Sequence, residues 1–211
     1  MRRSFLIVFF ALLLGFFAIS MQNDREEGST GTQSTQAEWV SLFNGRNLEG
    51  WFIRGRTQWY VEDGVLIGKG ALGHIYAEPV LSDFEFKGKF RISKEGNSGI
   101  YFRSHPPEDN PDGFPRGYEA QVDNHSDAFT GWLWKPGNPT CEAGELITED
   151  NEWFSLRIKA VGDHLQIWVN DKLMTDCHDT EYSQGHFAIQ GHDPGQKIEA
   201  KDLYYRDLSG N

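Results

Sequence analysis

Beyond its first forty residues, the chain repeats with a period of two. Phe84, Phe86, Phe90 and Ile92 alternate with Glu85, Lys87, Lys89 and Arg91. Phe154, Leu156, Ile158 and Ala160 alternate with Ser155, Arg157 and Lys159, and Leu165, Ile167 and Val169 with Gln166, Trp168 and Asn170. Successive side chains of a strand point to opposite faces, so each segment sorts apolar residues to one side and polar ones to the other. Turn signals stand between such segments: Asp63-Gly64, Glu95-Gly96-Asn97, Gly162-Asp163 and Asn170-Asp171. The last two are so tight that residues 154–175 read as an antiparallel meander. Strands are expected at 39–43, 57–62, 64–69, 83–92, 97–104, 117–123, 153–161, 164–170, 185–191 and 197–207. After the leader no stretch keeps a helical period. Ten or more short strands without helices imply an all-β fold, a two-sheet antiparallel β-sandwich of the jelly-roll type rather than a barrel.

The leader is a different kind of sequence. Arg2 and Arg3 precede an unbroken apolar run from Phe5 to Ile19, and small residues, Ala18 and Ser20, stand at its exit. This is the pattern of a signal peptide over residues 1–20. The run is shorter than the ~20 residues of a spanning helix, so an exported protein, periplasmic or extracellular, is expected, with no stable membrane insertion after cleavage. Residues 21–37 are rich in Ser, Thr, Gln, Gly and Glu and read as a flexible linker. One domain then occupies residues 38–211. The net charge is −11, or −13 once Arg2 and Arg3 leave with the leader. With no basic cluster to offset that charge, a nucleic-acid partner is not expected. Two cysteines, Cys141 and Cys177, form either one disulfide or two separate buried thiols.

Two segments read as long loops. Residues 104–116 carry three prolines between Ser104 and Pro111 and a fourth at Pro115, and residues 130–144 carry Trp132, Trp134 and Lys135 among Gly and Pro. Long loops in a compact domain are often functional, and these two are expected to wall a cleft. Loop tryptophans such as Trp132 provide either stacking surfaces for a flat apolar ligand face, sugars included, or packing over the end of the core.

One strand has an unusual polar face. In residues 117–123, Tyr118, Ala120 and Val122 are expected in the core, which sets Glu119, Gln121 and Asp123 in a row on the other side. The preceding strand turns Ile100 and Phe102 inward and Asn97, Tyr101 and Arg103 outward. Near the C-terminus, Phe187 and Ile189 point inward, and Ala188, Gln190 and His192 outward. Polar residues on an outer face are the ordinary condition of a sandwich, and Arg103 opposite Glu119 suits a plain cross-strand ion pair. The residue types argue for more. Amides and imidazole beside Gly99, Gly117 and Gly191 suit a ligand-lined sheet, because a glycine in a strand permits close approach.

Four segments together resemble the 3-keto-disaccharide hydrolase family: residues 42–51 (LFNGRNLEGW), 97–103 (NSGIYFR), 117–123 (GYEAQVD) and 185–192 (GHFAIQGH). The likeness spans about residues 40–208. It implies a concanavalin A-like jelly roll and cleavage of glycosides already oxidised at C3. Many members of the family are lipid-anchored, and this chain lacks the acceptor cysteine after its leader. A C3 ketone acidifies the hydrogen at C2, so a base can remove it and the C1 substituent can leave, with water adding back in a net hydrolysis. Glu119 and His192 are the expected base and proton donor, in either order, and Arg103 the cation for the enolate. Asn97, Gln121 and Gln190 are expected to bind hydroxyls, with Tyr101 and Trp132 also in the binding surface, and Asp123 to orient Arg103 or a hydroxyl. A divalent metal held by His192 with Glu119 or Asp123 is an alternative electrophile. His74, His105 and His125 are further candidate ligands, read as loop histidines.

Two other readings stay open. Glu119-x-Gln121-x-Asp123 resembles the acidic strand of jelly-roll β-glucanases, where two carboxylates flank the scissile bond, although the middle position here is an amide. The same sandwich also serves as a non-catalytic carbohydrate-binding module, and fold alone does not choose between them.

Overall fold

The computed structural model describes residues 37–136 and 138–210. The signal peptide over 1–20 and the linker over 21–37, apart from Ala37, lie outside the described residues.

Two antiparallel sheets face each other. The first runs β13 (Lys172–His178), β12 (His164–Val169), β11 (Phe154–Val161), β6 (Phe84–Ile92), β15 (Lys197–Asp207), β4 (Val65–Lys69) and β3 (Gln58–Glu62), with the short β1 (Val40–Ser41) beside β15. The second runs β10 (Asn138–Cys141), β9 (Leu133–Lys135), β8 (Arg116–Asp123), β7 (Asn97–His105), β14 (Gly185–Gly191), β5 (Gly73–Leu81) and β2 (Trp51–Gly55). No helix long and apolar enough to cross a membrane occurs among the described residues.

The alternating apolar residues meet between the sheets. Phe84, Phe86, Phe90, Leu156, Ile158, Leu165 and Ile167 of the first sheet bury against Ile100, Phe102, Tyr118, Ala120, Val122, Phe187 and Ile189 of the second. Burial of such side chains contributes about 25 cal/mol per Å² of apolar surface removed from water, and the period-two pattern makes a one-residue slip of any strand expel its whole apolar set. Aromatic pairs add specificity at the centre, with Phe187 stacked 4.6 Å from Phe86 and edge-on 4.7 Å from Phe84.

The seven tryptophans divide by location. Trp51 and Trp59 are core residues. On the outer face of the first sheet, Trp39, Trp153 and Trp168 lie under cations: Arg157 sits 3.7 Å from the Trp168 ring, Lys87 4.1 Å from Trp39, and Lys201 4.2 Å from Trp153. Glu85 is buried there beneath Arg157 and Arg206. Only Trp132 and Trp134 remain for the other sheet's outer face.

Cys141 and Cys177 are bonded to each other, which settles the alternative left by their spacing. The bond joins β10, at the end of one sheet, to β13, at the end of the other.

Arg103 departs from expectation. The alternation that turns Tyr101 to the outer face breaks at a bulge between Phe102 and His105, where Arg103 takes φ +46°. Its side chain is swung to the end of the sandwich, fully buried, and the guanidinium donates to the carbonyls of Ser82, Gly162 and Tyr182 and to Asp83 Oδ1 at 2.8–3.2 Å. It binds three turns together and does not face Glu119. Removing it leaves three carbonyls and the Asp83 carboxylate without the buried donor they share, so Arg103→Ala should cost about 3 kcal/mol or more of stability. Urea denaturation measures this; a loss of about 0.5 kcal/mol or less would mean that the turns hold without the staple.

Candidate functional site

The site lies on the outer face of the second sheet. There the register sets side chains in rows across the strands. Trp134 of β9 is opposite Glu119 of β8, Glu119 opposite Tyr101 of β7, Tyr101 opposite Ala188 of β14, and Ala188 opposite Tyr76 of β5. Asn97, Gln121 and Gln190 stand in the neighbouring positions. A cavity of about 620 Å³ opens over these rows, with Glu119, Tyr101, Gln121 and Gln190 on its floor and Asn97 and His192 at one side. Phe114 from the connection between β7 and β8, and Trp132, Trp134 and Lys135 from the segment after β8, form its walls. Both segments expected to wall a cleft therefore do so, although part of the second is itself paired as β9 and β10.

Glu119 is held in an unusual way. A Cβ placed on Gly99 would come within 1.7 Å of Glu119 Oε1, so the carboxyl group lies directly across the glycine of the adjacent strand. Any larger residue at that position would evict it. Glu119 keeps some exposed surface in the cavity, but protein surrounds the carboxylate on its other sides. Burial raises its pKa from the ordinary carboxylate range to about 7, against the opposing effect of a hydrogen bond from Tyr101. The Tyr101 hydroxyl also accepts a hydrogen bond from Gln190 Nε2 at 3.3 Å, and burial and Glu119 together hold that phenol protonated well above its usual range. The floor is thus a chain, Gln190 to Tyr101 to Glu119, that ends on a carboxyl poised near neutrality.

The walls carry unmet hydrogen-bonding capacity. The indole N–H groups of Trp132 and Trp134, Gln190 Oε1 and His192 Nδ1 are all buried without a hydrogen-bond partner in the protein, although His192 Nδ1 is 2.9 Å from Asp193 Oδ1 in a poorly directed contact. The Trp132 and Trp134 rings stack at 6.4 Å. Lys135 adds a cation, fixed 2.7 Å from both Asp179 and Glu181, whose carboxylates hold its pKa above the ordinary range. Aromatic faces beside a few convergent donors and acceptors are what a sugar requires.

The expected residues do not all assemble. Glu119, His192, Asn97, Tyr101, Gln121, Gln190 and Trp132 share the cavity. Arg103 does not, for the reason given above. Asp123 also turns away: its Oδ1 accepts from the backbone N–H groups of His125 and Ser126 at 2.7 and 3.1 Å, which closes the turn after β8. With Asp123 so engaged, the cavity has no second carboxylate four residues from Glu119, and the β-glucanase reading loses its pair. No group of three or more His, Cys, Asp or Glu is placed to hold a metal ion among the described residues. His105 and His125 are occupied by Gln184 O and Asp150. His74 is not on a loop but on β5, fully buried. The sequence places Lys135 only as part of a loop expected to wall the cleft, and sequence reasoning singled out neither Phe114, whose place in the other long loop was the available signal, nor Ser126 and Asp127, which also line the cavity.

A family model, the 3-keto-alpha-glucoside-1,2-lyase-like domain, matches residues 38–209. The chain belongs to that family. Among solved structures, the fold of this family member is similar to that of a proposed glycosyl hydrolase from Parabacteroides distasonis, with TM-score 0.67 and 20% identity over 81% of this chain and 94% of the other. It is also similar to a carbohydrate binding module from Bacillus subtilis, with TM-score 0.62 and 22% identity over 77% and 98% of the two chains. Among curated proteins, the levanase of Bacillus subtilis (strain 168) is 30% identical over 113 residues, which is 51% of this chain but only 16% of the levanase.

Tyr101→Phe removes the donor that favours ionised Glu119, so the Glu119 pKa should rise from about 7. Carboxyl ¹³C NMR titration of the two proteins measures the change. An unchanged or lowered midpoint would remove Tyr101 from the account of this carboxyl.

Proposed function

We propose that the domain cleaves 3-keto-glycosides by elimination across C1 and C2, with water adding back to complete hydrolysis. The observation that carries this reading is Glu119: a carboxyl kept by burial at about pKa 7 on the floor of a cavity walled by tryptophan. A general base works best when its pKa is near the ambient pH. The family description, a lyase acting on 3-keto-glucosides, supports the same chemistry.

In this mechanism the substrate arrives with its C3 hydroxyl already oxidised. Glu119 takes the C2 proton, and the electron pair passes into the C2–C3 bond as the carbonyl oxygen becomes an enolate. That charge needs a positive or hydrogen-bonding partner. Arg103 is committed elsewhere, and the role falls to the Lys135 ammonium and the free indole N–H groups of Trp132 and Trp134. The enolate then collapses to the ketone, C1=C2 forms, and the C1–O bond breaks. His192, at the side of the cavity, gives a proton to the departing oxygen. Addition of water at C1 and return of a proton to C2 yields the free 3-keto sugar. Asn97, Gln121 and Gln190 hold the remaining hydroxyls.

The apolar leader and the Cys141–Cys177 disulfide both favour a site of action outside the cytoplasm. The substrate class is therefore an extracytoplasmic sugar that an oxidoreductase has prepared.

The test is turnover of a 3-keto-glucoside beside its unoxidised parent. Glu119→Gln should lower kcat/KM on the keto substrate by roughly 10²–10⁴-fold. For the parent protein, kcat/KM should fall as pH drops below about 7, because a protonated Glu119 cannot accept the C2 hydrogen. Equal turnover of the unoxidised glycoside would sink the mechanism, and binding of either sugar with no turnover would make the domain a binding module.

A further inference from the structure

The cavity covers only part of the rows of side chains that cross the second sheet. Past Ala188 and Gln190 on β14 the rows continue to Tyr76 and His74 on β5, then to Phe52 and Arg54 on the edge strand β2. His74 and Tyr76 have no exposed surface, and both ring nitrogens of His74 and the hydroxyl of Tyr76 lack a hydrogen-bond partner in the protein. Three such atoms side by side, next to the unpaired Gln190 Oε1, represent desolvation without compensation.

Phe114 stands over the His74 end of this strip, while Phe52 stacks against Tyr76 at 5.1 Å. The Phe114 ring lies 6.3 Å from the His74 ring and 5.9 Å from the His192 ring, yet the residue itself is 49% exposed. The connection that carries Phe114 is tethered to β2's end of the sheet by the Arg56–Asp112 ion pair, both partners of which are exposed, and exposed pairs hold little. A weakly fastened aromatic side chain thus stands over polar groups that have nothing to bind.

We propose that Phe114 is a removable plug over a second sugar subsite, floored by His74 with Tyr76 beside it and bordered by Gln190 and His192, which takes the ring attached to the one over Glu119. The inference rests on the reading that a 3-keto ring occupies the cavity. A neutral imidazole offers one donor and one acceptor, and a phenol offers both, the complement of adjacent sugar hydroxyls. Burial and the neighbouring His192 lower the His74 pKa to about 3, so the ring is uncharged at neutral pH and suited to a neutral sugar rather than a uronate.

Calorimetric affinities in a Glu119→Gln background, which prevents consumption of ligand, test this with a methyl 3-keto-glucoside and a 3-keto-glucosyl disaccharide. Phe114→Ala should raise the affinity for the disaccharide about fivefold relative to that for the one-ring ligand, whose own affinity can only fall with loss of a wall residue, and adding His74→Ala should abolish that relative gain. Phe114 is a half-exposed loop residue, so its loss does not threaten the fold. As a check that needs no change at His74, its ring NMR signals should shift on addition of the disaccharide to the Phe114→Ala protein and stay in place with the one-ring ligand. The proposal is overturned if Phe114→Ala weakens both ligands alike, if the gain survives without His74, or if the His74 signals ignore the disaccharide. Failure of both ligands to bind any of these proteins would instead overturn the reading of the cavity itself, and the subsite with it.

Discussion

The site rests on a close approach between two neighbouring strands. Glu119 of β8 lays its carboxyl over Gly99 of β7, where no side chain competes for the space, and Tyr101 on the same strand meets it with a hydroxyl. A carboxylate moved out of water resists ionisation, while the phenol offsets part of that penalty. The balance leaves the group near pKa 7 instead of fully neutral or fully charged. Nothing in this requires a second carboxylate or a long-range field. It requires that β7 and β8 stay in register and that position 99 carry no Cβ.

Much of this was legible in the sequence because alternation fixes the face. Once Ile100, Phe102, Tyr118, Ala120 and Val122 are assigned to the core, Tyr101, Glu119 and Gln121 have only the other face to occupy. The same logic failed at Arg103, where a bulge adds a residue and φ turns positive. A period-two pattern carries no mark of the position at which it breaks. Asp123 failed for a different reason. It does sit at the end of the correct strand, but a short acidic side chain beside a turn is drawn to the nearest backbone N–H groups, and His125 and Ser126 supply them. Strands β2 and β5 were not expected at all. Residues 73–81 combine glycine, histidine and proline with few alternating positions, and so the fully buried His74 was read as a loop residue.

The three outer-face tryptophans of the first sheet illustrate a limit on composition as a signal. Only loop tryptophans such as Trp132 read as candidate stacking surfaces in the sequence, and elsewhere Trp39, Trp153 and Trp168 have their faces taken by Lys and Arg from adjacent strands. The pair on the segment after β8 has buried indole N–H groups without a partner in the protein, beside the cavity that holds Glu119. What distinguishes the two groups is the cations on neighbouring strands, which a one-dimensional count of aromatic residues cannot register.

The Cys141–Cys177 bond has a mechanical meaning as well as a compositional one. Strands β10 and β13 are the outermost strands of their respective sheets, and they are tied to each other on the side where the tryptophan wall stands. In chain-entropy terms, a crosslink spanning 36 residues is worth about 4 kcal/mol. Its placement matters more than its size: the other margin, where β2 and β3 end their sheets, is already closed by the two-residue Arg56-Thr57 connection between them, and the disulfide closes the margin that has no such link. With the bond reduced, no short covalent link would join β10 to β13, and the wall with Trp134 and Lys135 would be the first part of that sheet to loosen.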